Sequence, residues 1–151
     1  MIFAARFTLA SALALSVATA ASAAEVTNTI PAVTSTTLLK TSTTWNGAPI
    51  VYSKTDQPEI QSVVVEIAPG AATVWHKHPV NNIAYILEGK VRLELENGTT
   101  REFQSGDAFA EVVNTWHRGV NIGNGPLKIL VVYAGVDGVP LAIARDDIQG
   151  E

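Results

Sequence analysis

The chain has 151 residues, a net charge of −4 and a charged fraction of only 16%, a length that suits one domain with its own core. An acidic balance argues against nucleic acid or an anionic membrane surface as a partner, since both require clustered Lys and Arg. The absence of cysteine excludes disulfides, thiolate ligands and cysteine nucleophiles.

Residues 1–23 read as a secretion signal. Arg6 supplies a positive start, residues 7–17 are apolar, and Ala21-Ser22-Ala23 offers the small-x-small pattern of a cleavage site. The apolar run is short for a bilayer span, which favours cleavage near Ala23 over a retained anchor. No Arg-Arg pair is present to suggest the twin-arginine route. The mature protein is expected in the periplasm or outside the cell.

Residues 24–59 are expected to hold an N-terminal arm, Thr/Ser-rich over 26–44, and the first strands, including one β-segment at 36–40. Short strand candidates then follow at 50–52, 62–67, 73–78, 83–87, 90–96, 99–103, 108–113, 117–122 and 127–133, each bounded by Gly, Pro, Asn or Asp. In 90–96, Val91, Leu93 and Leu95 alternate with Arg92, Glu94 and Glu96, so one face is buried and the other wet. Asn97-Gly98 then predicts a type I′ hairpin turn. No helical period appears after residue 23. A run of short strands with regular turns predicts an all-β sandwich or small barrel over 60–135, followed by a tail at 136–151 whose residues 139–143 can pack in extended form.

The three histidines of the chain fall in two of these strands. Side chains two apart on a strand share a face, so His76 and His78 project together. His117 on a neighbouring strand can close a triangle around a metal ion, and neutral imidazole suits first-row transition metals. Trp75, Trp116, Lys77 and Arg118 alternate with these histidines and are expected to face away. Tyr85, on the face of Ile83 and Leu87, is expected to pack.

At these residues the chain resembles the cupins, whose first motif is Gly, five residues, His-x-His, three or four residues, Glu, six residues, Gly. Gly70, His76, His78 and Gly89 are in register with it, and Asn82 occupies the Glu position. The second motif is Gly, five residues, Pro-x-Gly, two residues, His, three residues, Asn. Gly106, His117 and Asn121 are in register, with Val112 and Asn114 in place of Pro and Gly. The resemblance implies a double-stranded β-helix (jelly-roll) barrel with His76, His78 and His117 as ligands of a divalent transition metal: Fe, Mn, Ni, Cu or Zn. It implies turn roles for Gly70, Gly89, Gly106 and Asp107, a structural role for Asn121, and a likeness to cupin oxygenases in which an anionic substrate balances the charge of a three-histidine metal.

Asn82, Ala84 and Ile86 share one face of their strand and are expected to line the substrate pocket, with Asn82 orienting a water or substrate. Glu111 lies in an apolar run and admits two readings. It pairs with solvent or Arg118, or it enters the pocket as a fourth ligand or proton acceptor with a raised pKa.

The leading functional expectation is a periplasmic three-histidine cupin with dioxygenase-like chemistry on a small molecule. The alternatives are an isomerase, lyase or hydrolase using the same site, a non-catalytic sensor or carrier of metal or ligand, and a barrel with a degenerate site. A homodimer is also expected, with the Thr/Ser-rich arm available to add a strand to a partner barrel.

Overall fold

The computed structural model describes residues 33–145. The segment 1–23, expected to be a secretion signal, the start of the arm and the end of the tail lie outside the described residues. The described chain contains strands and no helix: β1 (Pro58–Ile67), β2 (His76–Lys77), β3 (Asn81–Glu88), β4 (Lys90–Leu95), β5 (Thr100–Gln104), β6 (Ala108–Ala110), β7 (His117–Asn121), β8 (Leu127–Val136) and β9 (Ile143–Ala144). They form two antiparallel sheets, ordered β1-β8-β3-β6 and β5-β4-β7-β2-β9, in the jelly-roll arrangement expected of an all-β cupin barrel.

The core between the sheets follows the alternation. Val91, Leu93 and Leu95 of β4 are all buried, as are Leu127, Ile129, Val131 and Tyr133 of β8. Each such side chain contributes about 1.5–3 kcal/mol by leaving water. The opposite residues of β4 are tied on the outside, where Glu94 accepts from both Arg92 and Arg118 at 2.8 Å.

The β4–β5 hairpin forms in the expected register, Val91 opposite Phe103 and Leu93 opposite Arg101. Its turn differs from the type I′ expectation. Gly98 has φ +85°, while Asn97 is outside the left-handed region. The amide of Gly98 donates to Leu95 O at 3.0 Å and that of Leu95 to Thr99 O at 2.8 Å. This is the three-residue loop in which a type I turn is followed by one left-handed residue. Both turns want Gly at that last position, so the dipeptide alone does not separate them.

Other elements are shorter or displaced. The expected 73–78 strand reduces to β2 with bridges at Ala72 and His78. No strand forms at 36–40 or 50–52. Instead the arm folds into a loop closed by a Thr43–Pro49 bridge and by Ile50 N–H donating to Ser42 O at 2.9 Å. Val51 and Tyr52 are then left exposed. Trp45, near the tip of this loop, enters the core at 7% exposure. The tail supplies β9, which pairs with β2.

Two motif residues hold the barrel ends. Asn121 is buried, its amide nitrogen donating to Ile67 O and Gly125 O at 2.9 Å each and its oxygen accepting from Gly123 N–H at 2.9 Å. Gly89, at φ +85°, joins β3 to β4 where a Cβ would meet Pro126 O at 2.6 Å. Asp107 Oδ2 accepts from Gln104 N–H at 2.8 Å and so closes the β5–β6 turn.

Candidate metal centre

The antiparallel pairing of β2 with β7 sets His76 directly opposite His117, and the two-residue offset brings His78 to the same face. The rings gather with centroids 4.4 Å apart for His76 and His117, 4.9 Å for His76 and His78, and 5.0 Å for His78 and His117. Each ring offers one nitrogen, and these atoms all lie within 4.8 Å of one another.

The tautomers are set from behind. His76 Nδ1 is 2.9 Å from Val74 O, His78 Nδ1 2.7 Å from Leu141 O, and His117 Nδ1 2.8 Å from Thr115 O. A carbonyl can only accept, so each Nδ1 carries the proton and each Nε2 keeps a lone pair for the centre. His117 Nε2 is buried without a hydrogen-bond partner. An orphaned basic nitrogen in an apolar interior is costly unless something electrophilic meets it, so the donor set fits a metal ion.

Burial lowers the pKa of all three imidazoles, His78 to about 4, with the neighbouring ring of His117 also lowering that of His76. All three are therefore neutral at physiological pH, the state a metal requires.

Glu111 enters the cavity. Its Oε2 accepts from the indole N–H of Trp45 at 3.0 Å and from Val112 N–H at 3.2 Å, and stands 3.8 Å from His117 Nε2. Arg118, the alternative partner, is engaged with Glu94. Burial raises the Glu111 pKa, and at 3.8 Å its Oε2 is beyond hydrogen-bond reach of His117 Nε2. Tyr133, whose ring is 5.4 Å from that of His78, has its phenol pushed up to about 12 by burial and by Glu111.

The departures from the cupin motifs have local consequences. Asn114, at φ +50°, takes a left-handed conformation that Asn tolerates better than most residues. Val112, unlike proline, has an N–H to give to Glu111. Asn82 is 3% exposed, and neither its amide oxygen nor its nitrogen has a hydrogen-bond partner.

The cavity at the histidines has a volume of about 60 Å³ and is bounded by Asn82, Ala84, Glu111 and Tyr133 together with Val65, Ile67, Leu93, Ile129 and Val131. Ile86 shares the inward face of β3, but it is 0% exposed and is not among the cavity's lining residues. It sits farther along the strand, in the core. Tyr85 is half-buried, and Ile83 and Leu87 of the same face are exposed on the outer sheet. Trp75 and Trp116 also face out, Trp75 under Arg118 and Trp116 against Lys77 and Arg145.

Three participants have no counterpart in the sequence motifs. Trp45 lies in the arm, outside any alternating strand. Leu141 contributes a backbone oxygen, which leaves no side-chain signature. Tyr133 alone had a readable signal, since it continues the inward series of Leu127, Ile129 and Val131.

Residues 63–133 match the family model of the cupin domain, in keeping with this barrel and these histidines. It is 43% identical over 72 residues to an uncharacterized protein of Methanocaldococcus jannaschii, an alignment covering 46% of this chain and 57% of that one. The barrel also matches the crystal structure of an oxalate decarboxylase from Lactobacillus farciminis in a formate complex, with a TM-score of 0.51 and 28% identity over 58% of this chain and 27% of the decarboxylase. A DMSP lyase structure matches with a TM-score of 0.50 at 18% identity, covering 58% of this chain and 44% of that one. This chain thus spans little more than half of the archaeal relative and about a quarter of the decarboxylase.

Proposed function

We propose that this protein is a metal-dependent cupin enzyme acting on a small organic molecule that chelates through oxygen, with dioxygenase-like oxidoreductase chemistry as its leading form. One observation carries the reading: three imidazoles whose Nδ1 atoms are tied to carbonyls leave three Nε2 lone pairs facing one cavity. A transition metal held there supplies Lewis acidity and, in the case of iron or copper, redox chemistry. His76, His78 and His117 fix the ion from one side. All three ligands are neutral, so an anionic chelating substrate provides the balancing charge. Asn82 offers that substrate a free donor and a free acceptor. Glu111 stands beside His117 as proton acceptor, and the apolar walls exclude water.

A second reading, a lyase that cleaves a small carboxylate, draws support from the likeness to oxalate decarboxylase. The same ligands and the same Asn82 serve either chemistry. Elemental analysis of protein isolated from its native compartment is the first test. Metal in about one equivalent per chain supports both readings, and a metal-free protein with affinity weaker than micromolar ends both. Oxygen uptake with diketones, catechols or flavonols then selects the oxygenase, and carbon dioxide release from small carboxylates without net oxygen consumption selects the lyase. Stoichiometric metal with neither activity leaves a carrier or sensor.

Export to the periplasm is part of the proposal and draws on the pattern of residues 1–23. Intact mass of the exported protein should place its start just after Ala23. Equilibration in that compartment favours copper, nickel or zinc over ferrous iron. A homodimer is proposed through the outer face of the β1-β8-β3-β6 sheet, where Ile60, Val64, Ile83 and Val132 are exposed together. A monomer by light scattering would remove that part.

A further inference from the structure

The metal cavity contains an acid just past the end of β6 rather than on β3. Asn82 O accepts the Glu111 amide at 3.1 Å, so the two residues are neighbours across the β3–β6 pair, whose adjacent partners are Ile83 and Ala110. Glu111 is thus close enough to serve as a metal ligand or to stand just outside the ligand set. The hydrogen bonds decide between these roles. Oε2, the oxygen 3.8 Å from His117 Nε2, already accepts two N–H groups, from Trp45 and Val112. A carboxylate oxygen has two lone-pair sites; on Oε2, the oxygen beside His117, both are taken, and the two bonds fix the direction in which Oε1 is left to act.

Trp45 is held firmly for this task. Its amide donates to Ala110 O at 2.9 Å, and its own carbonyl accepts from Arg101 at 3.0 Å. Within the arm loop, Thr44 N–H donates to Ala48 O at 2.8 Å and Gly47 N–H to Thr44 O at 2.9 Å. The indole therefore reaches Glu111 from a braced backbone, 66 residues away in sequence.

We propose that Trp45 is a positioning residue: its indole N–H, together with Val112 N–H, saturates Glu111 Oε2 and keeps the carboxylate out of the metal's ligand set, free to hydrogen-bond a substrate at the open face. The proposal rests on the three-histidine reading above. It assigns the arm loop a part in the site, and it explains why an acid beside the histidines does not turn the open site into a four-ligand one.

Cobalt(II) is the probe, because its visible absorption reports the ligand set independently of turnover. The full-length mature protein is titrated as wild type, Trp45→Phe, Glu111→Gln and the double variant. Phe fills most of the indole's volume and removes only the donor. The expected result is that Trp45→Phe binds Co(II) about tenfold more tightly, the scale on which outer-shell partners act, with an altered spectrum. The double variant should return to the wild-type spectrum, and Glu111→Gln alone should leave that spectrum unchanged. An unchanged Trp45→Phe spectrum in a protein that binds Co(II) overturns the proposal while leaving the three-histidine centre standing. A changed spectrum in Glu111→Gln alone also overturns it, because Glu111 is then a ligand in the wild type. A changed Glu111→Gln spectrum overturns the proposal even if Trp45→Phe fails to fold. A wild type that takes up no Co(II) overturns the metal reading and the proposal together.

Discussion

His76 and His117 face each other across the β2–β7 ladder, with ring centroids 4.4 Å apart. Forty-one positions separate them in sequence, and the strand register alone brings them together. On the same strand, β7 turns Gly119 and Asn121 inward beside His117, so the element that carries a candidate ligand also carries the amide that clamps the barrel end.

Replacing any one of the three histidines by Ala should reduce metal affinity by at least about 100-fold, since two imidazoles remain and the preformed triangle is lost. The apo fold should survive in His117→Ala with a lowered Tm: the buried ring leaves a cavity and Thr115 O loses its donor, but Nε2 makes no hydrogen bond. Metal titration beside a circular-dichroism melt separates the two effects. Retention of stoichiometric, tightly held metal by His117→Ala would exclude the centre described above.

Gly89→Ala should be among the most damaging single changes outside the site. The residue holds φ +85°, and the added carbon would lie 2.6 Å from Pro126 O, a backbone atom that cannot swing aside. Strain and displacement together should cost about 2–4 kcal/mol, a fall in Tm of roughly 10 °C for a domain of this size. A Tm within a degree or two of wild type would mean that the β3–β4 junction relaxes freely.

Asn121→Ala tests the clamp in a different way. It removes three buried hydrogen bonds and leaves Ile67 O, Gly125 O and Gly123 N–H without that partner. The expected loss is about 2–4 kcal/mol, read by urea denaturation, and Asn121→Asp should also be unfavourable because it removes the donor and introduces a buried charge.

Much of the barrel was legible in the sequence because its strands are half-buried. In β4 the buried and wet residues alternate without a break, and the hairpin register follows from that alternation together with the turn. The histidine triangle was legible for the same reason, since a two-residue spacing fixes a face and two spaced motifs fix the partners. The arm was harder to read. Val51 and Tyr52 look like strand residues, yet the Thr43–Pro49 bridge draws the preceding segment into a loop and leaves them exposed. Trp45 was not legible at all, because a single aromatic outside a periodic segment gives no face and no partner. Glu111 was legible only as a choice between solvent and pocket. Its inward placement depends on donors from Trp45 and Val112, one of them a backbone group present because the residue there is not proline.

The pKa of His78, lowered to about 4 by burial, makes the apo protein sensitive to acid. Above the ordinary histidine value of 6.5 both folded and unfolded chains carry a neutral ring. Below it the unfolded chain takes up a proton that the folded chain refuses, so stability falls as the pH drops from 6.5 toward 4 and then levels off. Over that window His78 alone accounts for at most about 3 kcal/mol. His78→Gln should show a flatter apo stability profile over the same range. Parallel profiles for the two proteins would mean that His78 is solvated and titrates normally.

Asn82 offers the most direct way to alter the charge of the centre. Its side chain is buried at the cavity with neither polar atom bonded, so a substitution there breaks no hydrogen bond within the protein. Asn82→Glu would place a carboxylate where the cupin motif has one, and with a divalent ion present that carboxylate becomes a fourth, anionic ligand. Affinity for zinc or cobalt should rise about tenfold or more, and the apo protein should lose stability because an extra acid is buried without a partner. The same change should weaken binding of an anionic chelating substrate, since charge and one open position are now supplied by the protein. Asn82→Asp, with the shorter side chain, should give the instability without the gain in affinity. If Asn82→Glu bound metal no better than wild type, position 82 would not face the ion, and Asn82 would have no place in the substrate's binding.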